Sequence, residues 1–173
     1  MTWIITFVLI AFFIYLVYNG AALRLFGVPK SLSMTYYLLE EKKKWSRIFF
    51  PITMTSVVAM LLPAWLELSE GSPFQFTAFL AAAGILFVGA APAFMNNRLE
   101  NLVHIVSAIV AAVFALLWVV LVSKMWLIIV MWLAFIALVA FLTKSVKSSY
   151  TYWLETVAFM ATFTSIIAHY VAF

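Results

Sequence analysis

Charged residues divide this chain into apolar runs that each approach or exceed the ~20 residues a helix needs to cross a hydrocarbon core. The first run, residues 2–25, holds no acid and only Arg24, near its end. Five more follow at 48–68, 75–95, 102–122, 126–143 and 150–172, separated by short polar stretches. Runs of this length and apolarity read as membrane-spanning helices. The fold class is therefore all-α: a polytopic six-transmembrane-helix bundle, one transmembrane domain over 1–173. Composition agrees, since 68% of the 173 residues are hydrophobic and 9% charged, too little polar surface to coat a soluble globule.

Nothing basic precedes Trp3 and the first run is long, so it reads as a retained helix and not as a cleaved secretory signal. Without a single Cys, disulfides and thiolate metal sites are excluded. The net charge of +4 comes from residues flanking apolar runs, where topology accounts for them and nucleic acid need not be invoked. Arg24, Lys30, Lys42, Lys43, Lys44, Arg47, Arg98, Lys144 and Lys147 all fall on one side of a six-span chain, and only Lys124 on the other. The positive-inside rule then places the N-terminus and C-terminus both outside, in a cell (inner) membrane, with the basic first loop cytoplasmic. Trp3, Trp65 and Trp126 fall at the expected outer boundary, and Trp45 and Trp153 at the inner one.

That first loop, 29–47, reads PKSLSMTYYLLEEKKKWSR. Pro29 stops the preceding helix, Ser31 or Ser33 can cap a new one, and Leu32, Tyr36 and Leu39 recur at helical spacing. One reading is an amphipathic helix on the membrane surface, with Lys42, Lys43, Lys44 and Arg47 on lipid headgroups. The other is a basic loop that only fixes topology. Among the spans, Ala78 and Ala82, Thr77 and Ala81, and Ser107, Ala111 and Ala115 have the small-residue spacing of closely packed helices, so spans three and four read as a tight hairpin. Pro92 bends or ends the third span, and Pro63 should kink the outer end of the second.

Ionisable groups at membrane depth carry a cost that marks them for attention. His104 opens the fourth span, and Glu155 lies little more than one turn into the sixth. Glu155, Ala158, Thr162, Ser165 and His169 follow at steps of three and four, which sets them on one helix face over about 21 Å at 1.5 Å per residue. Asn96, Asn97, Arg98 and Glu100 cap the hairpin beside His104, and Ser107 is three residues beyond it. A cytoplasm-facing polar vestibule is one expectation, in which His104 and Glu155 bind a cation, a proton or a lipid headgroup, with Arg98, Asn97, Glu100, Ser107, Thr162 and Ser165 along the pathway. In the other, Glu155 pairs with Arg98 or a loop lysine and His104 bonds a backbone carbonyl. His104 and His169 lie near opposite faces and the chain has no Asp, so no metal site is expected. No phosphate loop, dinucleotide glycine pattern, paired-His zinc motif or nucleophile elbow is present, so neither enzymatic activity nor a cofactor is expected.

The run Gly84-Ile-Leu-Phe-Val-Gly89-Ala-Ala-Pro92, its polar turn, Leu102-Val-His104 and the Ala108, Ala112, Phe114 series resemble bacterial six-helix membrane proteins distantly related to the DRAM/Sfk group, over spans three and four only. The resemblance implies a lipid-linked or membrane-organising role without established chemistry, with His104 as the one residue carried over. Two functions stay open: a transporter- or channel-like membrane protein that binds or conducts a small ligand, ion or lipid, and a non-catalytic scaffold packing with itself or partner helices. Membrane lipids are the expected partners, together with a homo-oligomer or a partner membrane protein, and a pore would need several copies.

Overall fold

The structure, a computed structural model, describes residues 2–95 and 97–172; Asn96 lies outside them. Its α-helices are α1 (Thr2–Phe26), α2 (Thr35–Lys42), α3 (Phe49–Leu68), α4 (Phe76–Ala90), α5 (Arg98–Leu121), α6 (Trp126–Leu142) and α7 (Tyr150–Ala172), with a 3₁₀ turn Lys44–Ile48 running directly into α3. Four segments, Trp3–Phe26, Lys44–Leu68, Arg98–Leu121 and Tyr150–Val171, are long and apolar enough to cross a membrane. α4 and α6 are equally apolar but have 15 and 17 residues, about 22 and 25 Å of helix at 1.5 Å per residue.

Local chemistry sets these boundaries. α4 stops at Ala90, short of the expected 95. Pro92 has no N–H to continue the ladder and forces Ala91 out of helical geometry, to φ −113 and ψ 56. α5 starts at Arg98, earlier than expected, because extended Asn97 turns its side chain to accept the Glu100 N–H at 2.7 Å. The loop 29–47 is not one amphipathic helix. Lys43 is extended (φ −153, ψ 125) and breaks α2 from the 3₁₀ turn, while Leu32 and Tyr36 are buried against the bundle. α3 continues through Pro63 to Leu68.

Side-chain pairs give the register. Phe12 meets Phe163, Tyr15 meets Phe159 and Asn19 meets Tyr152, so α1 and α7 are antiparallel. Gly84 faces Ser107 and Ala111 while His104 reaches Ala91, so α4 and α5 are antiparallel as well. α1 packs on α3, α3 on α4, α4 on α5, α5 on α7 and α7 back on α1, a closed ring of five helices. α6 lies outside it, against α7 and α5, and buries only Ile136 and Ala140. Residues 27–48, 91–95 and 143–149 meet at one end, as the bonds from Met95 to Tyr37 and from Ser149 to Val28 require. Nine of the ten Lys and Arg residues collect at that end; Lys124, Glu67 and Glu70 are at the other.

The outside of the ring is apolar, with Phe13, Phe79, Leu102, Ile109, Leu138 and Phe141 each more than half exposed. So continuous an apolar exterior suits hydrocarbon and not water. The interior is filled by Val8, Tyr15, Phe50, Leu61, Trp118, Phe163 and Ile166. Trp65 belongs with these at 0% exposure, not in an interfacial belt, because it follows Leu61 and Ala64 on the buried face of α3. Trp3 and Trp126, at 59% and 54%, do stay on the surface.

The tightest seam is α4 on α5. A Cβ on Gly84 would come within 2.6 Å of the Ala111 nitrogen and 2.7 Å of the Ser107 carbonyl oxygen, both backbone atoms that cannot move aside singly. Gly84→Ala should therefore force the two helices apart and destabilise the protein by about 1–3 kcal/mol. In Gly20→Ala, where nothing lies within 4 Å, the added methyl should be neutral or stabilise by roughly 0.5–1 kcal/mol. Thermal unfolding of both variants in lipid nanodiscs checks this pair.

Candidate functional site

Gly27 and Pro29 end α1 and turn the chain back over the basic end of the ring, where residues 28–36 lie against α7. Ser149 Oγ donates to the Val28 carbonyl at 3.3 Å and the Tyr152 N–H donates to the Lys30 carbonyl at 3.2 Å. Thr35 Oγ1 donates to the Leu32 carbonyl at 2.6 Å and is itself bonded to Tyr18 Oη. Glu155 completes the attachment: its Oε2 accepts the Leu32 N–H at 2.6 Å, across 123 residues of sequence. A hydrogen bond of this kind contributes about 0.5–1.5 kcal/mol.

Beside Glu155 is a polar cluster that the sequence pattern did not reveal. Tyr152 Oη donates to Asn19 Oδ1 at 2.8 Å, and Asn19 Nδ2 donates to Tyr15 Oη at 3.2 Å. All three side chains are buried between α1 and α7. Asn19 reads as the end of a span next to Gly20, but the helix continues past it; the signal was its spacing of four from Tyr15, which puts both on one face.

The stripe on α7 faces inward as its spacing predicts. Thr162 is buried and donates to the Ala158 carbonyl at 2.8 Å, while Ser165 is buried and bonded to Ser123 Oγ at 2.6 Å. Glu155, Ala158 and Thr162 line a cavity inside the ring, bounded by α3, α4, α5 and α7, with Leu32 and Ser33 across one end. Its walls are Met54 and Leu61 of α3, Ile85 and Val88 of α4, and Ala108, Ala111, Ala112 and Ala115 of α5. The centre of a water-sized sphere can move through about 50 Å³ of it, space for a few waters or a slender apolar group, since one water needs roughly 10–15 Å³ by this measure. Glu155 is its one ionisable lining residue. Trp65 lines it as well, and its indole N–H, fully buried, has no partner among the described residues. An unmet buried donor costs about 1–3 kcal/mol.

His104 is elsewhere. Its Nδ1 lies 3.0 Å from the Ala91 carbonyl, and its ring stacks on Phe94 at 4.3 Å. Phe94 in turn meets Tyr37 edge-on, and Tyr37 Oη accepts the Met95 N–H at 2.6 Å. Burial pushes the Tyr37 phenol above its ordinary pKa, so it stays neutral in this role. His104 thus belongs to the α4–α5 turn, and no described contact joins it to Glu155. Ser107 packs behind it with its carbonyl against Gly84. Asn97 caps α5, Arg98 is exposed, and Glu100 sits in the first turn, where the helix dipole favours an acid. None of these reaches the cavity. The basic cluster is divided: Arg47 pairs with Glu40 and lies over Tyr36, Lys42 lies over the Phe26 ring at 5.3 Å, and Lys43 and Lys44 are exposed. Among the described residues no group of three or more His, Asp or Glu is placed to hold a metal.

Fold and site together define an all-helical ring of membrane-type helices around an apolar cavity with a single carboxylate. No protein-family model, curated protein or solved structure matches the chain.

The attachment of residues 28–36 can be tested at one atom. Glu155→Leu removes the acceptor, and the Leu32 amide should exchange its hydrogen about 2–10-fold faster, as loss of the hydrogen bond implies. Glu155→Gln keeps an acceptor oxygen and should stay close to wild type. Unchanged Leu32 protection in Glu155→Leu would show that the carboxylate does not hold the segment.

Proposed function

We propose that this is a six-span integral membrane protein, both termini outside and the basic end cytoplasmic, that binds a small ligand in the cavity beside Glu155. The observation that carries the reading is the cavity inside the ring: four of its helices, α3, α4, α5 and α7, line an apolar space into which one carboxylate is placed near the cytoplasmic end. Pockets of this make-up, mostly apolar with few polar groups that fix orientation, are the usual form of small-molecule sites. α4 and α6 are counted as spans because they are uniformly apolar and connect longer helices through short turns. Nine cations against one at the two ends support the orientation.

The small-residue seams that motivate a scaffold are occupied within the chain, since Thr77, Ala78, Ala81, Ala82, Gly84, Ser107 and Ala111 are all buried in the single copy. That favours ligand binding over helix-mediated association. Exposed Lys43 and Lys44, beside exposed Trp45 and Ile48, support contact with lipid headgroups at the cytoplasmic surface.

Orientation is checked with single thiols, which the cysteine-free chain makes unambiguous. Glu70→Cys should react with a membrane-impermeant maleimide on intact cells, and Lys43→Cys and Lys147→Cys only after permeabilisation; the reverse pattern would invert the topology. For the cavity, a photoreactive octyl probe in nanodiscs should label Ala108–Ala115 of α5 and Ala158–Thr162 of α7. Ala112→Phe, which places a ring in the space at a cost of about 1–3 kcal/mol, should abolish that labelling while the protein stays helical. Labelling confined to the outer faces of the helices would refute an accessible cavity.

A further inference from the structure

We infer that the cavity takes the chain of a single-chain amphiphile whose head is a cationic amine, with the ammonium on the free oxygen of Glu155. This rests on the ligand-binding reading above and names the class of ligand.

Shape is the first argument. The cavity follows α7 from Glu155 to Thr162 and α5 from Ala108 to Ala115, in each case about 10 Å at 1.5 Å per residue. About 50 Å³ of travel for a water-sized sphere is space for a few methylenes in single file. Two chains, a sterol or a nucleotide would not enter.

The walls are the second. Apart from Glu155, Thr162, Ser33 and the indole N–H of Trp65, the lining is aliphatic or aromatic. Thr162 spends its hydroxyl proton on the Ala158 carbonyl. A sugar or a peptide would leave its polar groups unmet along this length, whereas methylenes lose nothing.

Charge is the third. Of the two Glu155 oxygens, Oε2 accepts from Leu32, and Oε1 has no hydrogen-bond partner among the described residues. The ion pair among the described residues is Arg47 with Glu40, and no Lys, Arg or His lines the cavity with Glu155. An ammonium brings the missing charge and three donors. One suits Oε1, and a second can reach Ser33, which is buried at the same end with its Oγ 3.1 Å from Ser31 Oγ. A carboxylate head would bring no cation to pair with the Glu155 carboxyl, and an alcohol would supply a donor without a charge.

The test uses the full chain in nanodiscs and the photoreactive octyl probe in its amine form, with octylamine, octan-1-ol and octanoate as competitors at equal membrane-bound concentration. Octylamine should suppress interior labelling at about tenfold lower concentration than octan-1-ol, as a charge-assisted contact in a dry site implies, and octanoate should compete least. Glu155→Gln should erase the difference between amine and alcohol. Equal competition by octan-1-ol or octanoate in the wild type, which needs no variant to fold, would overturn the amine assignment while leaving the cavity intact. An amine preference that survives in Glu155→Gln would overturn the role given to Glu155. Absence of interior labelling by every form of the probe would remove the cavity reading itself.

Discussion

Hydrocarbon offers no hydrogen bonds, so each polar group this chain carries into its helices must be met from inside the ring. That constraint explains where the polar side chains go. Trp118 Nε1 donates to Ser69 Oγ, which itself donates to the Trp65 carbonyl; Trp132 Nε1 finds Thr164, and Trp153 Nε1 finds Ser145. Asn19 uses both ends of its amide on tyrosines of two helices. The bonds Trp118–Ser69, Trp132–Thr164 and Asn19–Tyr152 tie together segments distant in sequence, so meeting these polar groups also packs the bundle. Two buried groups, Trp65 Nε1 and Glu100 Oε2, remain without a partner among the described residues, and the first lines the cavity.

Packing supplies what hydrogen bonds do not. With lipid as apolar as leucine, helices adhere by fitting closely, and the fit is best where side chains are smallest. Gly84 lets the backbone of α4 rest on that of α5 at Ser107 and Ala111. On the opposite face of α4, Gly89 brings Met54 of α3 to within 3.3 Å of where a Cβ would stand. α4 is therefore held between α3 and α5 by a glycine toward each, while Phe79, Leu86 and Phe87 are exposed. α6 has no such glycine, which is consistent with its place outside the ring.

Much of this was legible in the sequence. All-helical class, the six apolar helices and the small-residue seam follow from run length and spacing, and the α7 face from Glu155 to His169 was readable at steps of three and four. Partnership was legible only in part: His104 does bond a backbone carbonyl, one of the two expectations, but Glu155 meets the Leu32 N–H and not Arg98 or a loop lysine. His104 and Glu155 open helices at the same end, yet the order of helices around the ring gives His104 to the α4–α5 turn and Glu155 to residues 28–36. Helix order is not encoded in periodicity. Trp65 falls where an aromatic belt would be expected, but its place on the face shared with Leu61 turns it inward. The loop 29–47 carries the hydrophobic spacing of a surface helix, but Leu32 and Tyr36 are spent on the bundle, since an extended Lys43 divides the segment.

The contacts between α1, residues 28–32 and α7 also set an order of events in time. Leu32 with Glu155, Val28 with Ser149, and Asn19 with Tyr152 are separated by 123, 121 and 133 residues. Chains are made from the N-terminus, and contacts of long range form late. While α3 to α6 are being synthesised, the buried amide of Asn19 and the N–H of Leu32 lack the partners that α7 will bring. The ring is an open horseshoe until then, and its cavity does not exist as an enclosed space. Arrival of α7 closes the wall, lays residues 28–36 across the end and places the carboxylate, so that site and fold are completed in one step.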